Sequence, residues 1–286
     1  MKLDRIAVIG LGMVGKQVYD WFLAKGKTFG YDVSAEKNKN TWEETVGADC
    51  FFVCVPTPYD GKEYNLSYLE EAISKIPDGK IVIIKSTVSP GTTDYFQNKY
   101  PNKIFMFNPE FLTELSAKND FGRPDMQILG VPHQGYELAS QIMLLLPPAP
   151  IMQIVSPVDA EWVKKLRNAF YATKVVFFNQ MYDIISNSVG DYETIRSIVV
   201  HDPRIGNSHS FIFHKGGRGG GGVCLPKDLN SLVGFAKRYN IHPEFLEKVM
   251  EINENLLKQY PKTYVSDSHH GTQGLHRKSS VESVKA

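Results

Sequence analysis

Only three cysteines, Cys50, Cys54 and Cys224, occur in the 286 residues. Three cannot form a disulfide framework, and none has a spacing that suits zinc. Charge of one sign is also missing. The formal net charge is +1, which removes any bulk electrostatic case for nucleic acid or an anionic membrane. No apolar run approaches the ~20 residues that span a bilayer, and the opening MKLDRIAVIG lacks a signal-peptide layout. Together these absences predict a reducing, cytoplasmic setting with no membrane or nucleic-acid partner. With 42% hydrophobic residues, the chain can bury a substantial core in one or two domains.

Short apolar runs alternate with helical patterns along the first half. Strands are expected at 5–9, 28–31, 50–55, 80–84, 103–107 and 126–129. Helices are expected after the first glycines and at 67–76, 92–99 and 136–145. This alternation predicts an α/β fold with a mostly parallel sheet and helices on both faces, closed by a Pro-rich turn at 147–150. From Val158 the character becomes helical, beginning with one long helix over 158–186 that contains no Gly or Pro. A domain core is an adequate account of that helix. Large residues most of the way round it also suit a subunit interface. The predicted units are 1–150, a helical domain over 151–262, and a disordered polar tail over 263–286. His269, His270 and His276 of that tail are read as solvated rather than metal-binding.

Gly10-Leu-Gly12-Met13-Val14-Gly15 follows a strand and opens a helix, the setting a dinucleotide fingerprint requires. The first glycine permits the tight turn, the second lets the backbone approach a pyrophosphate, and the third allows close helix–strand packing. Asp32 ends the second strand, where a carboxylate accepts ribose hydroxyls and repels a 2′-phosphate, so NAD is predicted over NADP. Thr57 and Thr87 end the third and fourth strands on the same carboxyl edge. Glu110 and Glu114 follow the fifth and face one way if that segment turns helically. On spacing alone, glutamates decorating a helix N-terminus are the preferred account.

On the long helix, Glu161, Lys164 and Asn168 share a face, and Lys165 and Arg167 lie off it. A Lys beside an Asn can hold a developing oxyanion. The segment 216–228, GGRGGGGVCLPKD, then delivers Cys224 just before Lys227 and Asp228 at the start of a helix. A helix N-terminus and a nearby lysine both favour thiolate, the form that attacks carbonyls. The plain alternative is a flexible linker followed by a buried, inert cysteine.

These motifs, in this order, resemble the UDP-glucose/GDP-mannose dehydrogenase family. GLGMVG, VPTP, KSTVSPGT, NPEFLTE, AEWVKKLRNAFYATK and GGVCLPKD, with Asp202-Pro-Arg204-Ile-Gly206 upstream of the last, carry the likeness from Met1 to about Leu257. The resemblance implies a Rossmann-type NAD-binding domain followed by an all-helical dimerisation domain, and a homodimer joined through helix 158–186. It also implies an NAD-dependent, two-step oxidation of a nucleotide sugar's C6 alcohol, that of UDP-glucose, through a thiohemiacetal and thioester on Cys224. Lys164 and Asn168 would stabilise oxyanions and move protons, Asp228 would order water or act as base, and Glu110 with Thr87 would handle the hydrolytic water. The cofactor set would be Gly10, Gly12, Met13, Val14, Gly15, Asp32, Thr57, Thr87, Glu114 and Lys227. Substrate contacts would come from Glu110, Glu114, Lys164, Asn168, Gly221 and Arg204, the last reaching across the dimer.

The resemblance also implies a C-terminal domain that grips the nucleotide end, and the sequence is expected to lack it. Gly220 stands where an aromatic is usual. Two other readings stay open: a single-hydride dehydrogenase of the β-hydroxyacid type, and a non-catalytic NAD-binding protein.

Overall fold

The computed structural model describes residues 3–113, 116–222 and 224–261. Seven strands form one sheet: β1 (Arg5–Ile9), β2 (Lys27–Tyr31), β3 (Cys50–Val53), β4 (Ile81–Ile84), β5 (Ile104–Phe107), β6 (Met126–Gly130) and β7 (Ile151–Val155). Their spatial order is β2-β1-β3-β4-β5-β6-β7. Every neighbouring pair is parallel except β5 with β6. Side chains alternate across this sheet, and both faces are apolar. Val8, Phe52 and Ile83 enter one core, while Ala7, Phe51 and Ile84 enter the other.

Helices α1 (Met13–Leu23), α2 (Trp42–Thr45), α3 (Ser67–Lys75), α4 (Thr92–Lys99), α5 (Ala117–Gly122) and α6 (Tyr136–Leu145) make the crossovers. Val18, Phe22, Ile142 and Met143 cover the first face, and Leu69, Ile73 and Phe96 the second. The sheet runs past the Pro-rich turn, because β7 pairs with β6 over its whole length, from Met126↔Ile151 to Gly130↔Val155.

Ser156 then caps α7 (Pro157–Ser186), its hydroxyl accepting the Asp159 N–H at 3.2 Å with Pro157 at the first helical position. This 30-residue helix is followed by α8 (Tyr192–Val199), α9 (Cys224–Arg238) and α10 (Glu244–Gln259). Ala169, Ala172, Val176, Leu229 and Val249 bind α7, α9 and α10 into a small helical core. The first half of α7 lies against the sheet layer. Glu161 caps α4 from outside, accepting the N–H groups of Gly91 and Thr93 and the Thr93 hydroxyl at 2.6 Å. One helix therefore touches both layers, and the cleft between them opens at the carboxyl ends of β1, β3, β4 and β5. The polar tail and its histidines lie outside the described residues.

Candidate active site

The glycine turn comes first along the chain. Gly10 has φ +86°, and a Cβ on it would lie 2.8 Å from the Cys54 carbonyl oxygen. On Gly15 a Cβ would lie 1.8 Å from the Gly10 carbonyl, so the helix can start this close to β1 only without a side chain. Gly12 differs: a Cβ there meets nothing within 4 Å. It faces open space at the N-terminus of α1, where Met13 is exposed and Val14 packs partly on the core. Free N–H groups with room in front of them suit a pyrophosphate, so these residues fit NAD. Asp32 is already engaged, accepting Leu11 N–H at 2.6 Å and Ser34 N–H at 2.8 Å. Each carboxylate oxygen takes a second donor, so the ribose role remains open to it. Thr57 is buried, and its hydroxyl donates to the Thr87 carbonyl at 2.6 Å, fixing the ends of β3 and β4 together.

The second group gathers around α7 and the start of α9. Lys164 and Glu110 are both buried and form an ion pair at 3.2 Å, and Lys164 also donates to the Glu110 carbonyl. Residues 108–113 are irregular rather than helical, because the Glu110 carboxylate turns back to accept the Leu112 N–H. The condition under which the two glutamates would face one way is therefore not met, and Glu114 lies outside the described residues. Lys85, fully buried beneath this segment, donates to Asn108 Oδ1 at 2.6 Å. Burial pushes its ammonium down to about 8.

Lys165 corrects the helical-wheel expectation. It is buried, and its ammonium donates to Asp228 Oδ1 at 2.9 Å, to Ser231 Oγ at 3.0 Å and to the Tyr64 hydroxyl. The Tyr64 hydroxyl in turn donates to Asp228 Oδ1 at 2.6 Å, and Asn168 Nδ2 donates to Asp228 Oδ2. Burial opposes charge on Asp228. The Lys165 and Lys164 ammonium groups and the Tyr64 hydrogen bond outweigh it and hold the carboxyl below the usual range. Burial and the Asp228 charge push the Tyr64 phenol well above its ordinary value. A lysine pair in a helix apolar nearly all round was the available signal, since one of two adjacent lysines must then face inward.

Cys224 opens α9 and is half-buried. Lys164 and Lys227 draw its thiol down while Glu110 and Asp228 push it up, so all four charges act at the sulfur. Burial is the largest influence and raises the thiol overall, against the expectation that the helix start would lower it. Lys227 reaches across the cleft to the Thr57 carbonyl at 3.5 Å. The preceding glycines are clamped rather than free. Gly220 N–H donates to Asn253 Oδ1 at 2.6 Å, and Asn253 Nδ2 donates to the Gly220 carbonyl at 3.0 Å. Gly221, the next residue, is half-buried. Arg204 is remote from this group, 86% exposed and paired with Asp202 at 2.6 Å.

Among the described residues, no cluster of three or more His, Cys, Asp or Glu side chains could hold a metal ion. No helix among them is long and apolar enough to cross a membrane.

Residues 31–143 match the NAD binding domain of the UDP-glucose/GDP-mannose dehydrogenase family, and residues 158–255 match its central domain. A UDP-glucose 6-dehydrogenase of Rickettsia bellii is 34% identical over 223 residues, covering 74% of this chain and 50% of that protein. One from Bacillus subtilis is 32% identical over 221 residues, covering 73% and 49%. The chain thus spans about half the length of the curated relatives it matches. Among solved structures, a UDP-glucose dehydrogenase from Pyrobaculum islandicum superposes with TM-score 0.78 at 26% identity, covering 89% of this chain and 68% of that one. A UDP-D-ManNAc dehydrogenase from Pyrococcus horikoshii gives 0.77 at 25%, covering 89% and 69%.

Proposed function

This chain belongs to the UDP-glucose/GDP-mannose dehydrogenase family, and from that membership we propose that it oxidises the C6 alcohol of a nucleotide sugar, UDP-glucose, to the carboxylate in two NAD-dependent steps. One observation carries the reading. Cys224 opens α9 four residues before Asp228, whose carboxylate takes Asn168 and Lys165, while Lys164 of the neighbouring α7 pairs with Glu110.

NAD, bound along Gly10, Gly12 and Gly15 with Asp32 at its ribose, supplies the hydride acceptor. Bound there, NAD would accept the hydride from the C6 alcohol; Lys164 and Asn168 donate to the oxygen as it gives up its proton to the site and gains charge. The Cys224 sulfur then adds to the aldehyde carbon and the oxygen takes a proton, giving a thiohemiacetal. A second NAD would take the second hydride, and with loss of the hydroxyl proton the thiohemiacetal held on Cys224 would become a thioester. Water positioned by Glu110, beside Thr87, attacks its carbonyl. The C–S bond breaks, and the acid leaves with the thiol restored. Asp228 orders the water and the Asn168 amide. Each sugar yields two NADH.

The raised thiol suits a group kept protonated until substrate and cofactor arrive. Lys227, already at the Thr57 carbonyl, borders the cofactor. Gly221 and Arg204 serve the substrate, Arg204 from a second copy. The dimer forms through α7, where Leu166, Phe170, Phe177 and Ile184 make one exposed apolar stripe. Phe170→Glu is expected to reduce the sedimenting mass to that of one chain.

The deciding experiment measures NADH per sugar with UDP-glucose, UDP-N-acetyl sugars and GDP-mannose, on wild type and Cys224→Ala. Two NADH, abolished by the substitution, is the expected result. One NADH, or indifference to Cys224, means a single-hydride enzyme. NAD binding without turnover of any sugar means a non-catalytic protein.

A further inference from the structure

Asp228 offers two carboxylate oxygens to a buried site, and three side chains fill them. Lys165 and Tyr64 donate to Oδ1, and Asn168 donates to Oδ2. The Lys165 ammonium has three protons and three acceptors: Asp228 at 2.9 Å, Ser231 at 3.0 Å and the Tyr64 oxygen. Tyr64 accepts from Lys165 and passes its own proton to Asp228. Ser231 passes its proton to the Asp228 carbonyl at 3.0 Å. With Lys165 charged and Asp228 ionised, each ammonium proton has an acceptor, and the Tyr64 and Ser231 hydroxyls, 2.9 Å apart, close the network. Lys164, the adjacent residue, is occupied elsewhere by Glu110.

We propose that Lys165, together with Tyr64, is a positioning residue for this site, one that locks Asp228 as a fixed carboxylate and thereby orients the Asn168 amide. The consequence for chemistry is specific. A carboxylate facing Asn168 forces the NH2 end of the amide toward it. One amide proton is thus spent on Asp228, and the second serves the oxygen at C6. Asp228, neutralised by Lys165, works as an orienting acceptor, and the base in the reaction is another group. This assignment rests on the proposed dehydrogenase reading.

The charged and titratable groups facing Lys165 are Asp228 and Lys227 from α9, Tyr64 from the loop before α3, and Lys164 from its own helix. Burial draws the Lys165 ammonium down to about 8. Above that pH the lock loses a donor, so log kcat should bend downward there.

The test is steady-state kinetics of the full chain with nucleotide sugar and NAD, as wild type, Lys165→Met and Tyr64→Phe, from pH 6 to 10. Lys165→Met is expected to lower kcat about 100-fold, the effect of misplacing a reacting group by about an ångström. Both KM values should stay within about threefold, and the alkaline bend should disappear. Tyr64→Phe, which keeps the shape and the lysine, should lower kcat about tenfold, as loss of one hydrogen bond does. It decides the matter if Lys165→Met fails to fold. A wild type that turns over sugar, matched within twofold by both folded variants, overturns this proposal alone. So does a rise in KM with kcat unchanged. A wild type that turns over no nucleotide sugar overturns the dehydrogenase reading and this proposal with it.

Discussion

Asn253→Ala tests whether the glycine run before Cys224 is held or loose. Asn253 and Gly220 are both buried, and the amide closes a two-way clamp on the Gly220 peptide, at 2.6 Å and 3.0 Å. Gly219, at φ +83°, lies so close that a Cβ on it would fall 3.1 Å from Asn253 Oδ1. Truncation strands one buried N–H and one buried carbonyl, each worth about 1–3 kcal/mol when unsatisfied. A water entering the vacated space restores part of this, leaving a net loss of about 2–4 kcal/mol. For a chain of this size that lowers Tm by about 3–7 °C, read by calorimetry or by urea unfolding. Loosening the run also displaces Cys224, so NADH formation should fall while NAD affinity, set at the glycine turn after β1, holds. Asn253→Asp sharpens the test, because it keeps the acceptor for Gly220 N–H but turns a second oxygen toward the Gly220 carbonyl. Burial and that carbonyl raise the new carboxyl's folded pKa above its unfolded value. Its stability is therefore present at low pH and lost as pH rises. A Tm change under about 1 °C with unchanged turnover in Asn253→Ala would refute the clamp.

The glycine turn gives a paired prediction. Gly15→Ala drives a methyl into the Gly10 carbonyl and should lower Tm by several degrees and abolish NAD binding, whereas Gly12→Ala meets open space and should keep Tm within about 2 °C while weakening NAD binding at least tenfold, measured by calorimetric titration. For Glu161, burial wins over the Thr93 and Gly91 hydrogen bonds and pushes the carboxyl up to about 7. A folded pKa above the unfolded one means that its contribution is fully present below about pH 4.5 and lost as pH rises through 7. Unfolding free energy should therefore decline over that window in wild type relative to Glu161→Gln, and parallel curves would refute it.

Local chemistry was legible in the sequence, and long-range covering was not. Six strands and the glycine turn could be read because alternation, glycine spacing and helix caps act within a few residues. The seventh strand, β7, was hidden by the Pro-rich turn before it. Half-exposed at the sheet edge, with Ile151 and Ile154 open to solvent, it has no alternation of its own and depends on β6 for its register. Lys164, Asn168, Asp228 and Glu110 do converge, as their order along the chain suggested. Lys165 was misplaced because a helical wheel assumes one covered face, and α7 has two, one against the sheet layer and one against α9 and α10. Burial of Cys224 raises its thiol against the pull of Lys164 and Lys227, and burial is not written in nearby residues. Tyr64, 164 residues away from its partner Asp228, gave no signal at all.

That separation bears on how the molecule comes into being. A ribosome adding roughly 5–20 residues per second makes Tyr64 some ten to thirty seconds before Asp228. The sheet through β7 has all its strands by Val155 and can collapse while synthesis continues. During that interval the Tyr64 hydroxyl and the ammonium of the newly made Lys165 have each other but not the Asp228 carboxylate or the Ser231 hydroxyl that complete the group. The polar group around Asp228 is thus the last part to be completed, after every strand of the sheet has been made. A protein with a perfect sheet and a faulty α9 would leave Lys165 with Tyr64 alone, without the carboxylate that balances its charge.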